Sequence, residues 1–332
     1  KGYEGPLVER LTGAVGSFAL YGFPESHAIS FAMLAYGSAY LKTHRAVEFY
    51  AGLLNNQPMG FYSPSTLIQD ARRRGLRFLP VSVLESDWDV TVVDDETLRL
   101  GFRMLGEVSR SAMEALLEER DKMPFSSLDD LLRRVPLNAT ERRRLALSGA
   151  FNCWTGNRRT ALWRAGDDWK SLSSGGTLPG LQAPVENRVQ LQPMTLLERL
   201  AADYESCGVT GGDHPMALVR PQLRNSVRRS VDLADLREGE RVSVAGAVIC
   251  RQRPGTAKGV TFVSLEDETG ITNVIVYPDR LEEMRLSLVE EAFLLFEGKI
   301  QKERGVIHVI ADRVRSLEIT AGLPEQASHD FH

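Results

Sequence analysis

Cysteine is scarce in this 332-residue sequence: only Cys153, Cys207 and Cys250 occur, and no two stand at CxxC spacing. A disulfide framework is therefore not expected, and a reducing cytoplasm is the natural compartment. No apolar run reaches about 18 residues, so the sequence predicts no membrane-spanning helix. The opening residues Lys1-Gly2-Tyr3-Glu4-Gly5 lack an initiating Met and an apolar signal segment, which reads as a piece of something longer. Global basicity is missing too: net charge is −4 and the pI is near 6.0. That excludes a histone-like binder but leaves local basic patches open, because binding follows charge distribution and not its sum. G-x-x-x-x-G-K-[ST], G-x-S-x-G and H-E-x-x-H are all absent.

What is present divides into unlike stretches. Residues 1 to about 80 read as mainly helical. Ala28 to Leu41 is apolar on nearly every face, as a deeply buried helix would be. A second helix is expected from about Arg45 to Leu54. A third opens at Ser63-Pro64, an N-cap followed by Pro at the first helical position, and stops at Gly75. Residues 98 to about 165 are helical but more polar, and 131–164 carries eight Arg against one Glu. Residues 171–180 have linker composition. One helix is expected around Thr195 to Tyr204.

From Arg241 the hydrophobic period becomes two. Arg241–Cys250, Val260–Leu265, Ile271–Tyr277, Phe293–Gln301 and Val306–Leu317 read as strands, with one helix, Asp279–Leu288, between the third and fourth. Five strands with a helix in that place are the plan of an OB-fold barrel. Gly246 and Gly298 sit mid-strand, where so small a barrel must bend sharply.

Several constellations could carry chemistry. The first hairpin of the barrel concentrates Arg251, Arg253 and Lys258 around Pro254-Gly255, with Phe262 on the adjoining strand. Cations for a phosphate backbone beside a ring for stacking are what single-strand binding requires; the other reading makes Phe262 barrel core. Leu105 to Leu132 suggests a helix-hairpin-helix unit. Its turn, Gly106-Glu107-Val108-Ser109, has one Gly and an acid where phosphate would approach, so it also reads as a packing module. Arg142, Arg143, Arg144, Arg158 and Arg159 form the strongest local positive field and point to a phosphate backbone, although consecutive residues on a helix cannot share one face. His27, His44 and His214 show no metal-site spacing. The pairs Asp94-Asp95, Asp129-Asp130 and Asp167-Asp168 read as solvated surface, since a two-metal site needs carboxylates converging from a rigid sheet.

The words GFPESHA (Gly22–Ala28), LLNNQPMGFYSP (Leu53–Pro64) and SDWD (Ser86–Asp89) resemble the fingers region of the bacterial C-family DNA polymerases, the polymerase III alpha subunits. RQRPGTAKGVTFVSLEDETG (Arg251–Gly270) resembles the OB hairpin of that family. Within it the sequence is most similar to the error-prone alpha-type polymerase of damage tolerance, through RPGTAKG and an ending in SHDFH (Ser328–His332) soon after the OB segment.

The resemblance implies a multidomain α+β architecture. Helical fingers (1–97) would precede a helix-hairpin-helix and basic helical segment (98–170). A partly helical connector (171–238), a C-terminal OB-fold β-barrel (239–318) and a tail (319–332) would follow. It places Tyr21 and His27 near the incoming deoxynucleoside triphosphate and the nascent base pair. It implies primer-template and single-stranded DNA as partners, with roles in DNA replication and repair, and no membrane. A sliding clamp and other damage-tolerance proteins join them, with Gln192-Pro193-Met194-Thr195-Leu196-Leu197 as a loose clamp motif. The palm domain, with the aspartates that hold Mg2+, lies upstream in that family. The full protein would then be a DNA-directed nucleotidyltransferase, while this chain would bind no cofactor and carry no catalytic residue of its own. The rivals are a non-catalytic single-stranded or tRNA-binding OB module and a scaffold recruited by protein contacts.

Overall fold

A computed structural model of the chain describes residues 5–21, 25–60, 62–166, 191–317 and 329–331. The chain forms two compact units, 1–50 and 51–332. The first contains α1 (Pro6–Tyr21), α2 (Glu25–His44) and the start of α3 (Ala46–Asn55). Helix α2 departs from the expectation of deep burial: Ile29, Phe31, Met33, Leu34, Tyr36 and Tyr40 are all exposed, Tyr36 by 76%. The physical reason is the size of the unit. A helix whose Ala28–Leu41 stretch is apolar on nearly every face needs more chain around it than two further helical segments supply.

The second unit begins with helices and a small sheet. In α4 (Pro64–Arg73), Ser63 accepts from the Thr66 amide and Pro64 fills the first turn, as the sequence predicts. The strands β1 (Arg77–Leu79), β2 (Thr91–Asp94) and β3 (Thr97–Arg99) then form a sheet in the order β1-β3-β2. The sequence reads Phe78 to Leu84 as a short β-like stretch, which catches only part of β1, because strands of 3 or 4 residues are too short to display a period.

Five helices follow: α5 (Arg110–Lys122), α6 (Leu128–Arg134), α7 (Ala139–Ser148), α8 (Asn152–Thr155) and α9 (Arg158–Arg164). Ser109, Ser127, Asn138 and Asn157 cap four of them. Leu116, Leu128, Leu131, Leu145 and Phe151 are fully buried among them. Helix α7 packs on α9 and on α10 (Leu196–Cys207), whose Thr195 and Glu198 form a capping box.

The rest is a closed barrel. Its strands are β5 (Arg241–Gln252), β6 (Thr261–Glu266), β7 (Ile271–Val276), β8 (Phe293–Glu303) and β9 (Val306–Ser316). They run in the order β5-β6-β7-β9-β8 and close through β8 onto β5. Val248, Val263, Leu265, Val274, Leu294, Phe296 and Val309 fill the interior, plugged by Met284 and Leu288 of α12 (Pro278–Glu290). On the outer face of β5, Ala245 and Ala247 are covered by Met216 of α11 (Pro215–Val219) and by Val227 of β4 (Val227–Arg228). At the far end, β10 (His329–Phe331) pairs in parallel with Cys250–Gln252.

Both mid-strand glycines are required by close approach. A Cβ on Gly298 would lie 2.1 Å from the Ile310 carbonyl oxygen, and one on Gly246 2.7 Å from that of Glu266. A β-bulge next to Gly298 shifts the β8–β9 register, pairing Glu297 with Arg313 and Gly298 with Ala311. The chain is thus multidomain α+β, with helices ahead of an OB-type barrel, as its sequence pattern predicts.

Candidate nucleic-acid interface

The hairpin between β5 and β6 is the most open basic feature among the residues singled out in the sequence. Arg253 and Lys258 are exposed and make no ion pair among the described residues. Lys258 has a positive φ of 51°, which turns the chain into Gly259 and back toward β6. Phe262 is half-buried and lies opposite Gln252 and Ile275. Its neighbours Thr261 and Val263 are buried, and Phe262 is absent from the interior cluster, so its ring faces outward with Ser264. Ser264 donates to Asn273 at 3.3 Å on the same outer face. The alternative placing of Phe262 in the barrel core does not hold.

Arg251 is different. Its guanidinium donates to the Glu291 carbonyl at 2.7 Å and ties β5 to the end of α12. It braces the hairpin's base and does not stand free beside Arg253.

The Arg-rich helical stretch closes largely on acids. Arg142 is only 3% exposed and donates to the Ala165 carbonyl at 3.1 Å, so as placed it offers nothing to a phosphate. Arg143 pairs with Glu205, and Arg144 with Glu107 and Glu205. Arg158 meets Asp203 at 2.7 Å, and Arg159 meets Glu198. A sequence count of eight Arg against one Glu misses this, because three of these acids lie on α10, about sixty residues further on in the extreme case. The local field seen in sequence is neutralised in space.

The hairpin turn at 106–109 is likewise occupied from within. The Gly106 amide donates to the Ser206 carbonyl at 2.8 Å. The Ser109 amide and hydroxyl both donate to Glu141, at 3.2 and 2.7 Å. A carboxylate of the protein thus occupies the Ser109 donors at the start of α5, and the turn is engaged in packing as it stands.

Tyr21 closes α1 and His27 lies in the first turn of α2, but their side chains lie outside the described residues. So do Asp167, Asp168 and the 171–180 stretch. Asp94 accepts from the Glu96 amide, Asp129 pairs with Arg164 and Asp130 with Arg134, all structural uses. Among the described residues no group of three or more His, Cys, Asp or Glu is placed to hold a metal ion, so nothing described here fits the magnesium pair of a polymerase palm. All three cysteines carry free thiols; burial pushes that of Cys207 up to about 11, which rules out a ready nucleophile there. No described helix is long and apolar enough to cross a membrane.

Comparison with known proteins supplies the context. Residues 75–161 match the helix-hairpin-helix motif model, and residues 234–317 match the OB-fold nucleic acid binding domain model. Over 330 residues, 98% of this chain, 42% are identical to an error-prone DNA polymerase of Dechloromonas aromatica (strain RCB). An error-prone DNA polymerase of Alkalilimnicola ehrlichii is 40% identical across 100% of the chain, and one of Pseudomonas syringae pv. syringae 42% identical across 99%. From end to end the chain matches error-prone DNA polymerases. It spans about a third of the length of the curated relatives it matches, 32% in each of these three cases. The resemblance carried by GFPESHA and RPGTAKG thus extends to the whole chain. Ser264, Asn273 and the 42%-exposed Tyr277 escaped the sequence reading, although strand alternation marks Ser264 and Asn273 as outward.

Proposed function

We propose that this chain is the C-terminal part of an error-prone, damage-tolerance DNA polymerase, contacting the incoming nucleotide and primer-template DNA. The observation that carries this reading is the match at about 40% identity over nearly every residue, across fingers-like, helix-hairpin-helix and OB segments alike. In the full protein the reaction is template-directed addition of deoxynucleotides, with Mg2+ held by palm carboxylates that the described residues do not supply. Tyr21 and His27 would serve the incoming deoxynucleoside triphosphate, a ring packing on the base pair and an imidazole donating to phosphate or sugar.

On the barrel, Arg253 and Lys258 meet the backbone of single-stranded template while Phe262 stacks on a base. The clamp-like segment Gln192–Leu197 runs into α10 with Leu196 and Leu197 exposed, which suits a surface peptide contact. The second reading, a non-catalytic single-strand-binding module, draws on the OB match alone and leaves the matched upstream residues without a role.

Two measurements test the proposal. Primer extension with this chain alone, with Mg2+ present, is expected to yield no synthesis; metal-dependent extension would show that the chain supplies catalytic carboxylates of its own. Oligonucleotide affinity of the Arg253→Glu, Lys258→Glu chain should fall, and its salt dependence should weaken. Unchanged affinity and slope would remove the hairpin from the interface.

A further inference from the structure

A second cationic groove lies on the barrel, away from the hairpin. It has a volume of about 580 Å3 and opens between the first half of β5, the middle of β8, the bulge of β9 and the start of α12. Arg241, Lys299 and Arg313 line it and make no ion pair among the described residues. Arg280 also lines it but has its own acids, Asp279 and Glu283, at 4.0 and 3.9 Å. Of the two lining carboxylates, Glu297 is engaged by Arg315 at 3.3 Å, leaving Asp312 against three free cations.

The register makes the arrangement costly. Arg241 stands directly opposite Lys299 across the β5–β8 ladder. Like charges in that relation destabilise a sheet, and nothing in the fold requires them there. The bulge on β9 then turns Arg313 into the same groove. Arg313 stands opposite Glu297, which Arg315 already engages, so the like-charged Arg241–Lys299 pair with Arg313 beside it points to an anion supplied from outside.

Shape and lining decide which anion. The groove contains no aromatic side chain and little apolar surface, so it offers no anchor for a peptide and no platform for a base. A repeating backbone charge suits three cations spread along a groove of this size. The groove and the hairpin sit at opposite ends of β5, a 12-residue strand roughly 40 Å long at about 3.3 Å per residue. We propose that this groove holds the phosphodiester backbone of single-stranded DNA that has passed the hairpin, extending the barrel's footprint without reading bases. The proposal rests on the reading of the hairpin as a single-strand contact.

The test is anisotropy of a labelled oligo-dT of roughly 30 nucleotides, longer than the ~4–16 nucleotides of one OB footprint, titrated with the 332-residue chain over a range of salt. The triple variant Arg241→Ala, Lys299→Ala, Arg313→Ala should lower the slope of log K against log salt by about 2, at ~0.7 per phosphate contact. Arg253→Ala with Lys258→Ala should lower it by about 1.4 independently. Arg241→Glu adds a readout that a structural cation would not give. It should raise the melting temperature by pairing with Lys299, while weakening oligo-dT binding. If the triple variant keeps the wild-type slope while the hairpin variant loses slope, the groove proposal fails and the hairpin reading stands. If neither variant changes the slope, both fail. An effect confined to duplex DNA, or loss of polyglutamate binding with oligo-dT binding intact, would also overturn it.

Discussion

The guanidinium of Arg73 on α4 donates to the carboxylate of Glu266 on β6 at 2.9 Å, and Glu266 is completely buried. This contact fastens the barrel to the helices ahead of it within one unit. On the other side of Glu266 stands His214, the N-cap of α11, with Nε2 3.8 Å from the second carboxylate oxygen. His214 Nδ1 accepts from the Met216 amide at 3.1 Å, which assigns the ring hydrogen to Nε2, facing Glu266. Burial pushes Glu266 up to about 7 against the pull of Arg73, and burial pushes His214 down to about 3, helped by Arg73 and Arg220. The pair is therefore a neutral imidazole beside a carboxyl that readily holds a proton, not a salt bridge.

Stability should respond to pH through both groups in opposite senses. A carboxyl with a raised folded pKa contributes fully below its ordinary 4.5, and that contribution is lost as pH rises through about 7. The neutral His214 contributes fully above 6.5 and loses it as pH falls toward 3. Between pH 4.5 and 6.5 the two offset. Relative to wild type, Glu266→Gln should lose about 2 kcal/mol on going from pH 6.5 to 4.5, because only His214 is left to respond. His214→Asn, which keeps an N-cap acceptor, should gain a similar amount. Urea midpoints across that range check this; two variants that track wild type would refute it.

Gly298→Ala should be the most damaging methyl in the barrel. Its Cβ would fall 2.1 Å from a backbone oxygen on β9, so the β8–β9 ladder must part. A loss at or above the upper end of the ~1–3 kcal/mol typical of overpacking is expected, with a smaller one for Gly246→Ala. Thermal unfolding ranks the two; equal tolerance at both sites would contradict the close approach.

Arg142 and Arg143 are sequence neighbours with different duties. Arg142→Ala removes a buried donor from the Ala165 carbonyl and should cost about 2–3 kcal/mol of stability. Arg143→Ala deletes an exposed pair with Glu205 and should cost no more than about 1 kcal/mol. Neither should change the salt slope of oligonucleotide binding. A slope change in Arg143→Ala would show that its pair with Glu205 opens to admit a phosphate.

On the hairpin, ring and cation should separate. Phe262→Ala is expected to weaken single-strand binding by about 1–3 kcal/mol with the salt slope intact, since stacking releases no counterions. Arg253→Ala should reduce the slope by about 0.7 with a modest change in affinity. Salt titrations of both variants distinguish them, and identical slopes in the two would deny Arg253 a phosphate.

The helices and strands were legible in proportion to their length and caps. Ser63-Pro64 announced α4, and the period of two from Arg241 announced all five barrel strands and the helix after the third. The sheet of β1, β2 and β3 was not legible as a sheet, since strands this short leave no periodic signal. The proposed interface was legible only in part. RPGTAKG pointed to the hairpin, yet charge counting missed that Arg142–Arg144 are engaged within the fold and passed over Arg241, Lys299 and Arg313, unpaired among the described residues.

By itself, the sequence determined the order of elements, the barrel's bends at Gly246 and Gly298 and the family resemblance, because each is written in residues near one another or in a contiguous motif. Tertiary structure alone decided which cations are free. Arg143 and Arg144 are quenched by Glu205 on a helix that arrives long after them in the chain, while Arg241 and Lys299 meet only because β8 closes the barrel onto β5. Charge acts through space at a few ångströms, and no separation counted along the chain reports that distance.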